Sequence, residues 1–412
     1  MNNYTDEDVD LEDELYKSRK LREEMNLEFE YEEDEEEYEA PKRPVKRNKE
    51  GKQNSKKKTS VAKVFTYLFM LGTIGIMCLL FMLYGPISAF REWLVTTAMT
   101  TMTHQYFATW FYDDETIEHI LENNKIIEVN EDTNLDDIVI GGGLNKSQYA
   151  NDYERAVLEK DPDNEDYKII EIKGKGYSGY LAVVYDPSRV ETVVTKKLGT
   201  SGQYLTKMAA DNDALIAING GGFNDPNFNS TGGSPLGITV SGGEYVKYES
   251  YSGPGGIIGF TDDDKLYLGK CSVQEAKSMG IRDAVTFGPF LIVNGKSSSV
   301  LGNGGWGSAP RTAIGQRKDG IVLFLVIDGR KATKFGADMD DMIRIMENYG
   351  AYNAANLDGG TSSVLVVDDV IVNDPIDSTG AHKTRPIATG FILKADDADN
   401  GDKSVVEDKL NK

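Results

Sequence analysis

Cysteine and histidine are scarce in this chain, at two and three of 412 residues. Cys78 falls inside the main apolar run and Cys271 stands alone beyond it, so no disulfide can staple the C-terminal portion, which must rest on buried apolar surface. That suits a bacterial surface without routine disulfide formation better than a eukaryotic secretory pathway. Of His104, His119 and His382, two lie near the apolar run. No His-Glu-x-x-His helix, Gly-x-Ser-x-Gly elbow or Walker-type loop occurs, which sets aside zinc-protease, serine-hydrolase and P-loop chemistry. A calcium loop near Asp161, Asp163 and Glu165 is also excluded, because Asp166 stands where the loop glycine belongs and Ile172 where its last acid belongs.

Charge, by contrast, is abundant and partitioned. The net charge of -22 conceals an acidic block, with Glu32, Glu33, Asp34, Glu35, Glu36 and Glu37 in one run, followed by a basic one. Few apolar residues interrupt the acids, so disorder is expected there. The basic block holds Lys42, Arg43, Lys46, Arg47, Lys49, Lys52, Lys56, Lys57, Lys58 and Lys63 against the single acid Glu50. Such a run suits nucleic acid or anionic head groups, and its place beside an uncharged span from Val64 to Tyr84 selects the membrane; no nucleic-acid partner is expected. The lysine and arginine excess before the span puts the N-terminus in the cytoplasm and everything after Gly85 outside. Because the span begins after sixty residues, it reads as an uncleaved anchor. The expected localisation is a single-pass protein of the cell membrane with an extracytoplasmic C-terminal domain.

Beyond the span, Ile87 to Ile120 is rich in aromatics and methionines near helical spacing, which predicts a helix lying at the interface or packed on the domain. Glu128 to Tyr167, with Gly141, Gly142 and Gly143, reads as a linker. From Ile169 the pattern becomes short β-prone runs, including Tyr180 to Tyr185, Ala214 to Ile218, Arg311 to Gly315, Ile321 to Ile327 and Ala354 to Leu357. Helices are expected over Asp338 to Tyr349, closed by Gly350, and over Gln203 to Asn212. The predicted fold class is α+β: a domain of mixed or antiparallel β-sheet with few helices, preceded by one transmembrane helix and a disordered N-terminal tail. Its expected divisions are 1–63 cytoplasmic tail, 64–84 span, 85–168 juxtamembrane helix and linker, 169–395 main domain and 396–412 disordered tail.

Four polar clusters stand at the ends of apolar runs. Asn219-Gly220-Gly221-Gly222-Phe223 follows one strand, where glycines let backbone approach a ligand, though an ordinary turn reads the same way. Arg311 is the one charge in Ala309-Pro310-Arg311-Thr312-Ala313, and its guanidinium suits either a phosphate or a structural carboxylate. Asp328-Gly329-Arg330 and Asp358-Gly359-Gly360-Thr361-Ser362-Ser363 each end a strongly apolar strand in an acid. Asp-Gly is also a hairpin signal, so each alone could be a turn.

Taken in order, these clusters, with Gly288-Pro289-Phe290, Asn294-Gly295 and Arg385-Pro386, resemble the phosphodiester glycosidase (uncovering-enzyme) family over roughly residues 170 to 395. That family also includes bacterial proteins described as exopolysaccharide-related. It usually has Asp-Gly-Gly-Gly-Ser where this chain has Thr361 at the fourth position. The resemblance implies a hydrolase cleaving the bond between an anomeric carbon and a phosphodiester oxygen in a cell-envelope glycan or exopolysaccharide. It casts Asp358 as catalytic carboxylate, nucleophile or base, and Asp328 as its partner or positioning acid, the two roles being exchangeable, with Arg311, Arg330 and Arg385 as phosphate holders. Asn219, Gly221, Phe223, Gly359, Gly360, Thr361 and Ser362 would line the sugar site. No cofactor is expected, and a divalent cation has no clear ligand set. The rival readings are a non-catalytic glycan-binding module and an envelope-sensing scaffold.

Overall fold

The computed structural model describes residues 61–99, 105–142, 148–224, 232–331, 333–377 and 379–396. The expected disordered tails, 1–63 and 396–412, lie outside the described residues except at 61–63, which begin a helix, and at 396. The chain divides into two units, 1–91 and 92–412.

In the first unit, α1 (Val61–Tyr84) is apolar almost throughout. Its 24 residues rise about 36 Å at 1.5 Å each, against a hydrocarbon core of about 30 Å. The stretch Lys63–Tyr84 is long and apolar enough to cross a membrane, and its most apolar 18-residue window is exposed throughout.

The helix expected over 87–120 is divided into α2 (Ser88–Met99), a turn at Tyr106–Thr109 and α3 (Asp114–Asn123), whose start is capped by the Asp113 carboxylate accepting from Thr116 N at 2.8 Å. The stretch read as a linker is laid along the domain. The Glu128 carboxylate accepts from Phe290 N at 2.6 Å and Gly255 N at 3.1 Å, Thr133 Oγ1 donates to Leu268 O at 2.5 Å, and Val139 N donates to Lys318 O at 2.7 Å. Polar side chains that suggest a linker by composition here satisfy backbone groups at strand ends and edges. Asn151 then caps α4 (Asp152–Leu158).

The β-rich portion follows in chain order as β1 (Tyr167–Gly174), β2 (Tyr177–Val184), β3 (Val190–Val194), α5 (Leu205–Ala210), β4 (Ala214–Asn219), β5 (Ile238–Ser241), β6 (Glu244–Tyr248), β7 (Gly256–Thr261) and β8 (Leu266–Gly269). It continues through α6 (Val273–Ser278), β9 (Ile281–Phe287), β10 (Phe290–Val293), β11 (Arg311–Arg317), β12 (Val322–Asp328), α7 (Met339–Asn348), β13 (Ala351–Leu357), β14 (Leu365–Val367) and β15 (Thr389–Lys394). One sheet runs β10-β13-β11-β12-β2-β1, extended beyond β10 by Lys296–Ser297. A second runs β14-β4-β15-β3, with Val370–Ile371 beside β14, and a third runs β8-β7-β9-β5-β6. The pairings within all three are antiparallel.

Strand β12 shows why the large sheet is central. Val322, Phe324 and Val326 enter a core shared with Ile216, Ile218, Ile258, Phe260 and Phe391 of the other two sheets, while Leu323, Leu325 and Ile327 pack with Met339, Met342, Ile343 and Met346 of α7. A strand covered on both faces reads as a continuous apolar run. Helix α7 begins at the Asp338 cap and ends before Gly350, whose φ of 80° closes it as expected.

Register then carries chemistry to one edge. Arg311 pairs with Ile327 and Thr312 with Leu357, so Asp328, Pro310 and Asp358 emerge at the same end of three adjacent strands. In the second sheet, Asn219 at the end of β4 pairs with Gly390, beside Thr389 at the start of β15.

Candidate active site

Asn219 holds the turn on which Asp358 stands. It is buried, and its amide Nδ2 donates to the Asp358 carbonyl at 2.6 Å. Its Oδ1 accepts from Thr312 Oγ1 at 2.7 Å and from Val364 N at 3.3 Å. Asp358 N in turn donates to Gly220 O at 3.1 Å, which ties β4 to β13 across two sheets. Gly221 fits beneath, donating to Thr389 Oγ1 at 3.1 Å; a Cβ there would meet Thr286 O at 2.7 Å.

Above that base, Asp358 meets one guanidinium group, and a second stands at the same turn. Arg385 Nη2 donates to Asp358 Oδ2 at 3.1 Å and Nε donates to Ser362 Oγ at 2.8 Å, with the guanidinium 4.6 Å from the centre of the Phe223 ring. The other carboxylate oxygen accepts from Gly359 N at 3.0 Å. Arg330, itself at φ 60°, donates through Nη1 to Thr361 Oγ1 and to Ile376 O, both at 2.8 Å. Gly360 has φ 65°, and a Cβ on it would stand 3.0 Å from Arg330 Nη2, so glycine admits both the turn and the arginine. Burial and then the neighbouring Arg385 charge push the Arg330 guanidinium below its ordinary value, with Asp377 opposing. Of the two guanidinium groups at this turn, Arg385 pairs with the Asp358 carboxylate and Arg330 with Thr361 and a backbone carbonyl. The Asp358 and Arg385 side chains remain 18% and 21% exposed, so an anion reaching them enters a positive field.

Asp328 lies one step behind. Its Oδ1 accepts from Asn373 Nδ2 at 3.0 Å and from Asp374 N at 2.9 Å, and Lys331 Nζ stands 4.0 Å from Oδ2. Burial pushes its carboxyl up, against those hydrogen bonds. Asp374 bridges to Lys331 at 2.8 Å and to His382 Nδ1 at 2.6 Å. Arg311 is turned to the backbone: Nη2 donates to Trp306 O at 2.5 Å and Gly307 O at 2.8 Å, and Nε to Ala337 O at 3.3 Å. Burial lowers it to about 10.

The fold thus gathers Asp358, Arg385, Arg330, Phe223, Gly359, Gly360, Thr361 and Ser362 around one surface point, with Asn219 and Gly221 below. Asp328 and Arg311 flank the point, each engaged elsewhere. Sequence reasoning missed Asn373, Asp374, Lys331 and His382, which fix the segment leading to Arg385. Their only local signal is the turn dipeptide Asp374-Pro375 after a strand. Among the described residues no group of three or more His, Cys, Asp or Glu could hold a metal ion. A cavity of about 480 Å³ lies elsewhere, on the β5–β9 sheet, and lacks any arginine; charge and geometry therefore favour the Asp358 cluster as the anion site.

Residues 212–394 match the family model described as phosphodiester glycosidase, a family of hydrolases. The matched span runs from just before β4 to the end of β15 and contains the whole cluster. The chain is 28% identical over 184 residues to the SPbeta prophage-derived uncharacterized protein YomE of Bacillus subtilis, a match covering 42% of this chain and 28% of the relative. Among solved structures, the zebrafish N-acetylglucosamine-1-phosphodiester alpha-N-acetylglucosaminidase catalytic domain, auto-inhibited by its pro-peptide, aligns with a TM-score of 0.46 and 21% identity, over 56% of this chain and 83% of that one. A putative exported protein of Burkholderia pseudomallei aligns with a TM-score of 0.41 and 16% identity, over 53% and 74%.

Proposed function

We propose that this protein is a membrane-anchored phosphodiester glycosidase, working outside the cytoplasm on a sugar-1-phosphodiester of cell-envelope glycan or exopolysaccharide. The observation that carries the reading is the pair Arg330 and Arg385 on either side of the Asp358 turn, within the span that matches the family model. A phosphodiester is a singly charged anion with paired oxygens, and guanidinium forks fit it. Arg385 bridges from Asp358 to the phosphate, and Arg330 adds its charge across the Gly359-Gly360 turn, whose amides are held by Asp358 Oδ1 and Pro310 O.

Breaking the anomeric C–O bond develops positive charge on the sugar ring and negative charge on the departing phosphate. The Asp358 carboxylate stabilises the first, as nucleophile or as base for water, and the arginines stabilise the second. Because phosphate leaves readily as an anion, no strongly acidic proton donor is required at its oxygen. Asp328 acts as a positioning acid: through Asp374 N and Asn373 it fixes the segment that delivers Arg385. Helix α1 anchors the chain, with the basic block on the cytoplasmic side.

The test is release of sugar from an N-acetylglucosamine 1-phosphodiester by the full chain in detergent, beside Asp358→Asn and Arg330→Ala. Loss of at least about 100-fold in kcat/KM for Asp358→Asn, with fold retained, is expected. Turnover by Asp358→Asn equal to the parent would overturn the role of Asp358. Silence of the parent together with saturable glycan binding would make the domain a receptor.

A further inference from the structure

The arginine pair selects an anion and leaves the remainder of a polymeric substrate without a seat. A concavity on the outer face of the β5–β9 sheet has the complementary chemistry. It lies between the end of β6, the segment after it and the start of α6, and its volume of about 480 Å³ falls within the range of about 300–1,000 Å³ usual for small-ligand sites. A second concavity of about 1010 Å³ shares Tyr248 and Val273 with it and continues past Tyr245 and Lys277 along α6. The two together make a groove longer than one ring.

The lining is aromatic and polar. Tyr248 is 67% exposed, and Tyr251 is oriented by donating its hydroxyl to Pro254 O at 3.0 Å. Ser250 and Lys270 supply hydrogen-bonding groups beside those rings, while Ser272 Oγ is held by Glu275. The carboxylates at the wall are already engaged: Glu249 pairs with Lys247 at 3.1 Å, and Glu275 accepts from Ser272 N at 2.7 Å in a capping box. An anion would face Glu249 and Glu275 in the first concavity, and in the second Glu244 and Asp262 stand against Lys277 and Arg282; an apolar ligand would strand the hydroxyls and ammonium of the first. A neutral sugar satisfies both halves, with its C–H faces on the tyrosine rings and its hydroxyls on serine and lysine.

The groove is also close to the anion site along the chain of contacts. Thr286 of β9 lines it, and Thr286 O accepts from Gly222 N at 3.3 Å, in the turn that leads directly into Phe223 beneath Arg385. We propose that this groove is a glycan subsite, taking neutral pyranose units of the polymer whose phosphodiester lies at the Asp358 cluster. The pairing with a phosphodiester rests on the function proposed above; the sugar site itself does not.

Calorimetric titration of the full chain in detergent with chitohexaose and with cellohexaose tests it, since neither contains phosphate. Saturable binding of at least one is expected, weakened about tenfold by Tyr248→Ala, the loss of one stacking contact, and unchanged by Asp358→Asn. Lys270→Ala, also at an exposed side chain, is expected to weaken binding in the same direction. Binding of neither hexasaccharide, or binding that Asp358→Asn removes while Tyr248→Ala leaves it intact, would overturn the subsite. Failure of the phosphodiester reading would register differently, as absent sugar release with hexasaccharide binding kept.

Discussion

Asp328 and Asp358 each follow an apolar strand and precede a glycine, and their surroundings separate them. Asp358 keeps a partly exposed carboxylate against Arg385, whereas Asp328 is buried against Asn373 and the Asp374 amide. Burial raises the Asp328 carboxyl, so the folded chain holds that proton more tightly than the unfolded chain does. The ionised form therefore costs stability, beginning as pH rises through the unfolded value of about 4 and complete above the folded one. Asp328→Asn is expected to raise the melting temperature at pH 7 and to lose that advantage as pH falls to about 3, below the unfolded value, where Asp328 is protonated in both states. Melts at the two pH values check this, and an equal difference at both would contradict it. Arg311 poses the opposite case. Its removal takes the side-chain donor from the carbonyls of Trp306 and Gly307 and leaves Ala337 O with Ala309 N alone, so Arg311→Ala is expected to cost about 3 kcal/mol in denaturant unfolding. Sequence left its partner open between a phosphate and a carboxylate. Three backbone carbonyls fill the place of either, which no one-dimensional pattern displays.

At the scale of elements, what was legible follows from periodicity. Helix α7 has its cap, its methionine face and its closing glycine in consecutive sequence, and β10 and β12 are apolar on both faces, so each announces itself locally. Strands β3, β5, β6 and β9 went unread because threonine, glutamate, lysine and aspartate interrupt them. Those polar side chains are accommodated by tertiary partners, as where the buried Asp283 carboxylate accepts from Thr192 N at 2.8 Å. The juxtamembrane helices were read by composition as interfacial or packed, and the contacts reveal a supporting task. Asn124, just past α3, accepts from Asn303 N at 2.9 Å, and Asn303 Nδ2 donates to Thr96 Oγ1 of α2 at 2.8 Å. That loop continues to Trp306 and Gly307, the acceptors of Arg311. Asn124→Ala is accordingly expected to destabilise the domain by about 1–3 kcal/mol and to speed hydrogen exchange over residues 302–307. Unchanged exchange there would show that the helices do not support the loop.

For the whole molecule, two expectations follow from an anchor bearing an extracytoplasmic hydrolase. The full chain should sediment with membranes and need detergent for release, while protease added to intact cells should cleave residues beyond 92 and spare a tag at the N-terminus. Protection of the C-terminal domain in intact cells would reverse the orientation. The chain spans 28% of the length of the curated relative it matches, so substrate and context have to come from this protein itself. The anion site proposed for this fold is built from Asp358, Arg330 and Arg385, and the central claim is that the bond broken there is the anomeric C–O bond and not a P–O bond. Hydrolysis of a glycosyl phosphodiester in ¹⁸O-labelled water, read by ³¹P NMR and by mass spectrometry of the sugar, distinguishes them directly. Glycosidase chemistry places the label on the sugar and leaves the phosphate monoester unlabelled; label in the phosphate would make the protein a phosphodiesterase and contradict the assignment of Asp358 to the anomeric carbon.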